Sequence, residues 1–151
     1  MKNFFQKNDK ERNYKMKNIS LILAKEIIDK AIEEANILNI SITATIVDLG
    51  GHIVSSSRMD GASYISNDTS LKKAMTACNF KTPTHFLKIA SVKFPELEEA
   101  LKNNVHQVST LPGGMPIKID DICIGGLGIS GGDFSQDQVI CEKALSNITL
   151  S

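Results

Sequence analysis

Ile42-Thr43-Ala44-Thr45-Ile46-Val47-Asp48 alternates β-branched with small residues, Leu49-Gly50-Gly51-His52 supplies turn chemistry, and Ile53-Val54-Ser55-Ser56-Ser57 returns. The reading is a β-hairpin, with strands over Ile42–Asp48 and Ile53–Ser57. A second hairpin is predicted downstream, Ile117–Ile119 and Ile122–Ile129 across Asp120–Asp121. Strands joined by tight turns rather than by crossovers make an antiparallel sheet, and the helical sequence around them makes the fold α+β.

Upstream of the first hairpin, Asn18 and Ser20 are both credible N-caps. The helix they open buries Leu23, Ile27, Ala31, Ala35 and Leu38 and turns Lys25, Glu26, Asp29, Lys30, Glu33 and Glu34 outward. Downstream, residues 63–80 read as a helix with Ile65, Ala74, Met75, Ala77 and Cys78 inside. Thr82-Pro83-Thr84 breaks it and starts a short helix through Ala90, and Pro95 fits the first turn of another, with Glu96, Glu98 and Glu99 at its positive end. Pro112-Gly113-Gly114-Met115-Pro116 predicts a stiff turn. Asp133 caps a last helix whose inner stripe is Ile140 or Cys141, Ala144 and Ile148.

With 151 residues the chain reads as one domain over 18–151, preceded by a basic leader over 1–17. The leader carries Lys2, Lys7, Lys10, Arg12, Lys15 and Lys17 against Asp9 and Glu11, and it lacks apolar periodicity. Because the chain is neutral overall, the body is mildly acidic, which argues against nucleic acid as a partner. Phe4–Phe5 does not make the apolar core of about 7–15 residues that a signal peptide needs. No stretch approaches the roughly 18 apolar residues of a membrane span. Cys78, Cys123 and Cys141 form no CxxC pair and sit among apolar residues, so they read as buried hydrophobes in a reduced, cytoplasmic protein.

The ten glycines fall into Gly50 to Gly61, Gly113–Gly114 and Gly125 to Gly132. This grouping predicts three backbone turns gathered at one place. Gly126-Leu-Gly128-Ile-Ser-Gly131 matches GxGxxG, but a dinucleotide site needs a following parallel strand with an acidic residue about 20 positions on. What survives is a narrower reading, Ser130-Gly131-Gly132 as a backbone seat for a carboxylate or phosphate at a helix start. The body uses a single arginine, Arg58, in Arg58-Met59-Asp60-Gly61-Ala62. A planar fork there suits a carboxylate ligand, and the competing reading is an ion pair to Asp60 or Asp137 that pins the turn.

His52, His85 and His106 have no metal-helix spacing, there is no serine elbow or P-loop, and no paired carboxylates stand at a telling spacing. Asp60, Asp133 and Asp137 are candidate acids, though carboxylates at helix starts also serve as caps.

Five stretches taken in order resemble one family: Val47-Asp48-Leu49-Gly50-Gly51; Arg58-Met59-Asp60-Gly61-Ala62; Lys73-Ala74-Met75-Thr76-Ala77; Pro112-Gly113-Gly114-Met115-Pro116-Ile117; and Gly125 to Gly132 with Gln136-Asp137. It is the GlcG/HbpS-like family (DUF336) of haem-binding proteins, which also supplies the C-terminal domain of PduO-type proteins. The resemblance covers about residues 18–148. It implies a three-layer α/β sandwich with an antiparallel sheet of about five strands, assembled into tetramers or octamers. Carried over by motif, a ligand pocket would be lined by Arg58, Asp60 and Gly61, by Gly113, Gly114 and Pro116, and by Ser130, Gly131, Gly132 and Asp137. One departure concerns haem. The first helix contains no histidine that could serve as axial ligand, which leaves His85 or His52 as candidates.

The expectation is a small cytoplasmic accessory protein, homo-oligomeric, that binds haem or another carboxylate-bearing small molecule through Arg58 and the glycine turns. Two alternatives stand beside it. One is an enzyme, or enzyme accessory, acting on a small hydroxy- or oxo-acid or in diol/cobalamin metabolism, with Asp60 or Asp137 as general acid–base. The other is a structural oligomer without ligand.

Overall fold

Ser20 caps the first helix by accepting from the Leu23 N–H at 3.2 Å, and α1 runs Leu21–Ile37. The order that follows is β1 (Thr43–Val47), β2 (Ile53–Arg58), α2 (Ile65–Phe80), α3 (Thr84–Lys93), α4 (Pro95–Asn104), β3 (Gly114–Ile119), β4 (Ile122–Ser130) and α5 (Phe134–Leu145). The computed structural model describes residues 17–104, 108–146 and 148, so His106 and all of the basic leader but Lys17 lie outside the described residues. Four antiparallel strands in the order β2-β1-β4-β3 make the sheet, one fewer than the family resemblance implies.

β4 decides how the helices are distributed. Its Leu127 and Ile129 enter a core with Ala44 and Ile46 of β1, Ile27 and Ala31 of α1, and Ile140 and Ala144 of α5. Gly126 and Gly128 point to the opposite face, where a Cβ on either would collide with the α2 backbone at Ala74 and Ser70. Two glycines at alternate positions therefore let a helix lie directly on a strand. Thr43 and Thr45 of β1 join them on that face, with their hydroxyls bonded to Ser66 at 2.7 Å and Ser70 at 2.8 Å.

The helix over 65–80 buries Ala74, Ala77 and Cys78 as predicted, but its inner face extends to polar residues and leaves Ile65 out. Ser66, Ser70, Lys73, Ala74, Thr76, Ala77 and Cys78 are buried, whereas Ile65 is 70% exposed. The predicted Pro112–Pro116 turn is shorter too, because β3 already begins at Gly114 and runs through Pro116. β3 is an outer strand, and there a proline's missing N–H costs no ladder bond. α5 starts with a full capping box between Asp133 and Gln136.

Candidate functional site

β2 ends at Arg58 and α2 begins at Ile65, and the loop between them lines an open cleft of about 540 Å³ with Arg58, Met59, Asp60, Gly61, Ala62, Ser63 and Tyr64. The loop is held at both ends. Met59 N–H donates to the Ile42 carbonyl at 2.9 Å, and the Ile42 N–H reaches Met59 Sδ at 3.5 Å. At the far end Ser66 Oγ donates to the Ser63 carbonyl and bonds Thr43 Oγ1. The Arg58 guanidinium lies 5.2 Å from the Tyr64 ring centroid, and Tyr64 is 84% exposed. Among the described residues Arg58 enters no ion pair, because Asp137 pairs elsewhere and Asp60 stands exposed beside it in the cleft. An exposed cation–π contact is worth about 0.5–1 kcal/mol, little enough for a carboxylate to displace it.

Asp137 is bound to Lys73 instead. Lys73 Nζ lies 2.8 Å from Asp137 Oδ2 and donates to the Ile129 carbonyl at 2.8 Å, with side-chain exposures of 1% and 3% for the pair. The other oxygen, Asp137 Oδ1, accepts from the Gly132 N–H at 2.9 Å. Burial pushes the Asp137 carboxyl above the usual carboxylate range, and the Lys73 ammonium and the Gly132 N–H act against that. The expected backbone seat at Ser130–Gly132 is thus partly filled by the chain's own groups, since Gly132 donates to Asp137 and Asp133 N–H donates to Gln136 Oε1. Gly113 has φ +107, and a Cβ there would stand 2.8 Å from Asp137 Cβ and 3.1 Å from Lys73 Nζ. Gly114 N–H donates to Thr84 Oγ1 at 3.1 Å, and that hydroxyl also reaches the Leu111 carbonyl.

The strand register locates the remaining candidates. Thr43 pairs with Arg58 on one side and Ser130 on the other, so these three share one end of the sheet. Gly61 and Gly131 both face Ser41 there. Gly113 and Gly114 belong to the same end but to the other outer strand, three strand spacings or about 14 Å from Arg58. Pro116 is buried inside β3 opposite Gly126. Gly50, Gly51 and His52 lie at the opposite end, beyond Ile53, which is itself about 17 Å along β2 from Arg58. So the three glycine groups do not meet at one place. His52 is exposed, and its Nδ1 is 3.4 Å from Asp48 Oδ1. His52 backbone N–H, with Gly50 N–H behind it, holds the Asp48 carboxyl below the usual range. His85 lies in the first turn of α3, where its buried Nδ1 has no hydrogen-bond partner among the described residues and its ring lies 4.2 Å from Phe86. Among the described residues no histidine lines the cleft. Among the described residues no group of three or more His, Cys, Asp or Glu is arranged to hold a metal ion.

Lys73 is the residue that reading the sequence for function misses, although it stands inside one of the family-like motifs. The available signal is positional. Ser66, Ser70, Lys73 and Ala77 recur at helical spacing, and the alternating glycines of β4 call for a helix with small side chains against them.

Among known proteins, a 15.0 kDa protein of the dhaT-dhaS intergenic region of Citrobacter freundii is 31% identical over 134 residues, 89% of this chain and 94% of that one. The corrinoid adenosyltransferase PduO of Salmonella typhimurium is 36% identical over 120 residues, 80% of this chain but only 36% of PduO. The crystal structure of Klebsiella pneumoniae ORFY superposes with a TM-score of 0.81 at 29% identity, covering 97% of this chain and 95% of ORFY. The structure of a PduOC–haem complex also superposes at 0.81, with 33% identity over 89% of this chain and 97% of PduOC. Residues 19–146 match the family model described as haem degrading protein HbpS-like, and the chain belongs to the HbpS-like family.

Proposed function

We propose that this protein binds a flat, carboxylate-bearing small molecule, with haem the first candidate, in the cleft formed by residues 58–64. One observation carries the reading: an exposed arginine without a carboxylate partner among the described residues lies across an exposed tyrosine, both lining one cleft. A guanidinium fork pairs with a ligand carboxylate, and the Tyr64 ring offers a face on which a planar ligand stacks. The haem complex of the PduOC relative supports haem as ligand. The cleft fits the carboxylates of such a group better than its iron, since His85 on α3 and His52 in the β1–β2 turn do not line it. Gly61, Ser130 and Gly131 back the cleft, and Gly113, Gly114, Pro116, Gly132 and Asp137 act as its support. Residues 18–151 work as one cytoplasmic domain, with 1–17 a leader. Further copies of the chain build a tetramer or octamer, with one of the contacts on the α3 face, where Phe86, Ile89 and Val92 are exposed.

Hemin titration followed in the Soret region tests the binding reading. The expected result is saturable, stoichiometric binding that weakens about tenfold or more in Arg58→Ala, the worth of a charge-assisted pair, while His52→Ala leaves it unchanged. Equal affinity in a folded Arg58→Ala protein would remove Arg58 from the site.

A second reading is favoured by Asp60, which lines the same cleft as Arg58. An enzyme acting on a small hydroxy- or oxo-acid, or in diol/cobalamin metabolism, would hold the carboxylate with Arg58 and use Asp60 as acid–base. Asp137 does not reach such a substrate, because it is buried against Lys73. Turnover of an acid from a broad panel, abolished in Asp60→Asn, would establish this reading, and no turnover across the panel rejects it.

A further inference from the structure

A lysine and an aspartate, each with at least 97% of the side chain removed from solvent, stand between α2, α5 and the end of β4. Replacing such a pair by apolar residues of similar volume is often neutral for stability, so the pair is not explained by stability alone. Its bonds show what it does hold. Lys73 Nζ takes the Ile129 carbonyl and Asp137 takes the Gly132 N–H, so the pair grips both flanks of Ser130–Gly131. Gly131, at φ +140, lies so close to Ser41 that a Cβ there would collide with the Ser41 carbonyl. Ser41 also backs Gly61, whose Cβ position is 3.4 Å from Ser41 Oγ, and the neighbouring Ile42 holds Met59 through its N–H and its carbonyl. The contacts are continuous from Lys73 to the loop.

We propose that Lys73, acting through Asp137 and the Ser130–Gly132 turn, is the positioning residue of the Arg58–Tyr64 loop, setting the geometry of the cleft without touching what binds there. Its consequence for binding rests on the reading that the cleft is the ligand site, whereas its consequence for the loop does not.

The test uses the full chain with Lys73→Met and Asp137→Leu combined, so that no buried charge is left alone. Ile140→Val serves as a control of modest core destabilisation. Amide hydrogen exchange is read at Met59 and Ala62, whose N–H groups donate to Ile42 and Met59, and hemin affinity is read in parallel. The expected result is exchange at both amides faster by about tenfold, and hemin affinity lower by about tenfold, with neither change in Ile140→Val. Exchange at Met59 and Ala62 equal to that of the control overturns the proposal, as does unchanged hemin affinity where the parent chain binds hemin. Faster exchange in a chain whose parent takes up no hemin supports the positioning role and removes the haem reading. If the double variant does not fold, Lys73→Met combined with Asp137→Asn removes both charges while the amide oxygen at position 137 keeps an acceptor for the Gly132 N–H. The same two amides then decide.

Discussion

Gly128 shows what a single hydrogen in place of a side chain does. A Cβ there would overlap the Ser70 carbonyl and stand 2.7 Å from Ala74 N, both backbone atoms of α2 that cannot rotate away. Gly128→Ala is expected to cost about 3 kcal/mol, read as a lower denaturant midpoint, because helix and sheet must move apart. A midpoint within error of the parent would mean that α2 does not rest on β4 as described. The cysteines make an opposite case, of chemistry removed by packing. Burial pushes the Cys78 thiol up to about 12, and burial likewise raises Cys141. With Cys123 also buried, a disulfide-exchange reagent is expected to find the thiols only after unfolding. Rapid labelling of the native protein at neutral pH would contradict this. Sequence alone marks these cysteines as small hydrophobes. It does not mark Lys73, because lysine is ordinarily a surface residue and its partner lies 64 positions away.

Elements with local causes read correctly. Ser20 and Asp133 cap the helices for which their side chains suit them, and the Asp120–Asp121 turn has φ of 50 and 64, the left-handed pair that a two-residue hairpin needs. Asp133→Ala is expected to destabilise by about 1 kcal/mol, with helix loss confined to the first turn of α5. No change in thermal midpoint would leave Gln136 alone as a sufficient cap. α2 misleads near its start, where the hydrophobic pattern puts Ile65 inside while the buried positions belong to Ser66 and Ser70. Ser66, Ser70 and Ala74 lie inward since they face β1 hydroxyls and β4 glycines, and Ile65 stays outside. β3 starts earlier than predicted because its outer position in the sheet, which is not a local property, makes Pro116 tolerable.

At the scale of the whole molecule, two carboxylates tie stability to pH. Asp48 and Asp133 are held below their ordinary 3.8, mainly by the His52 and Gln136 backbone N–H groups respectively. The stability they lend is complete above that value and is lost as pH falls through their folded values. Asp137, raised by burial, has the opposite sign, since the folded chain takes its proton more readily than the unfolded one. Combining Asp48→Asn with Asp133→Asn is therefore expected to flatten the fall in thermal midpoint between pH 5 and pH 2. A limb as steep as the parent's would assign acid sensitivity to other groups. The proposed assembly is tested at the same scale: Val92→Glu on the exposed face of α3 is expected to lower the mass found by light scattering, and an unchanged mass rejects the α3 face as a contact between copies. No helix among the described residues is long and apolar enough to cross a membrane. The sequence by itself determined the α+β class, both hairpins, the Asp133 cap and the family, because periodicity, turn chemistry and ordered motifs act over a few residues. Only the tertiary structure decided that Gly50–Gly51 and Gly61 stand at opposite ends of the sheet, that Arg58 faces Tyr64, and that Asp137 belongs to Lys73. Strand register and helix docking bring together side chains far apart in the chain, and no local pattern records which ones will meet.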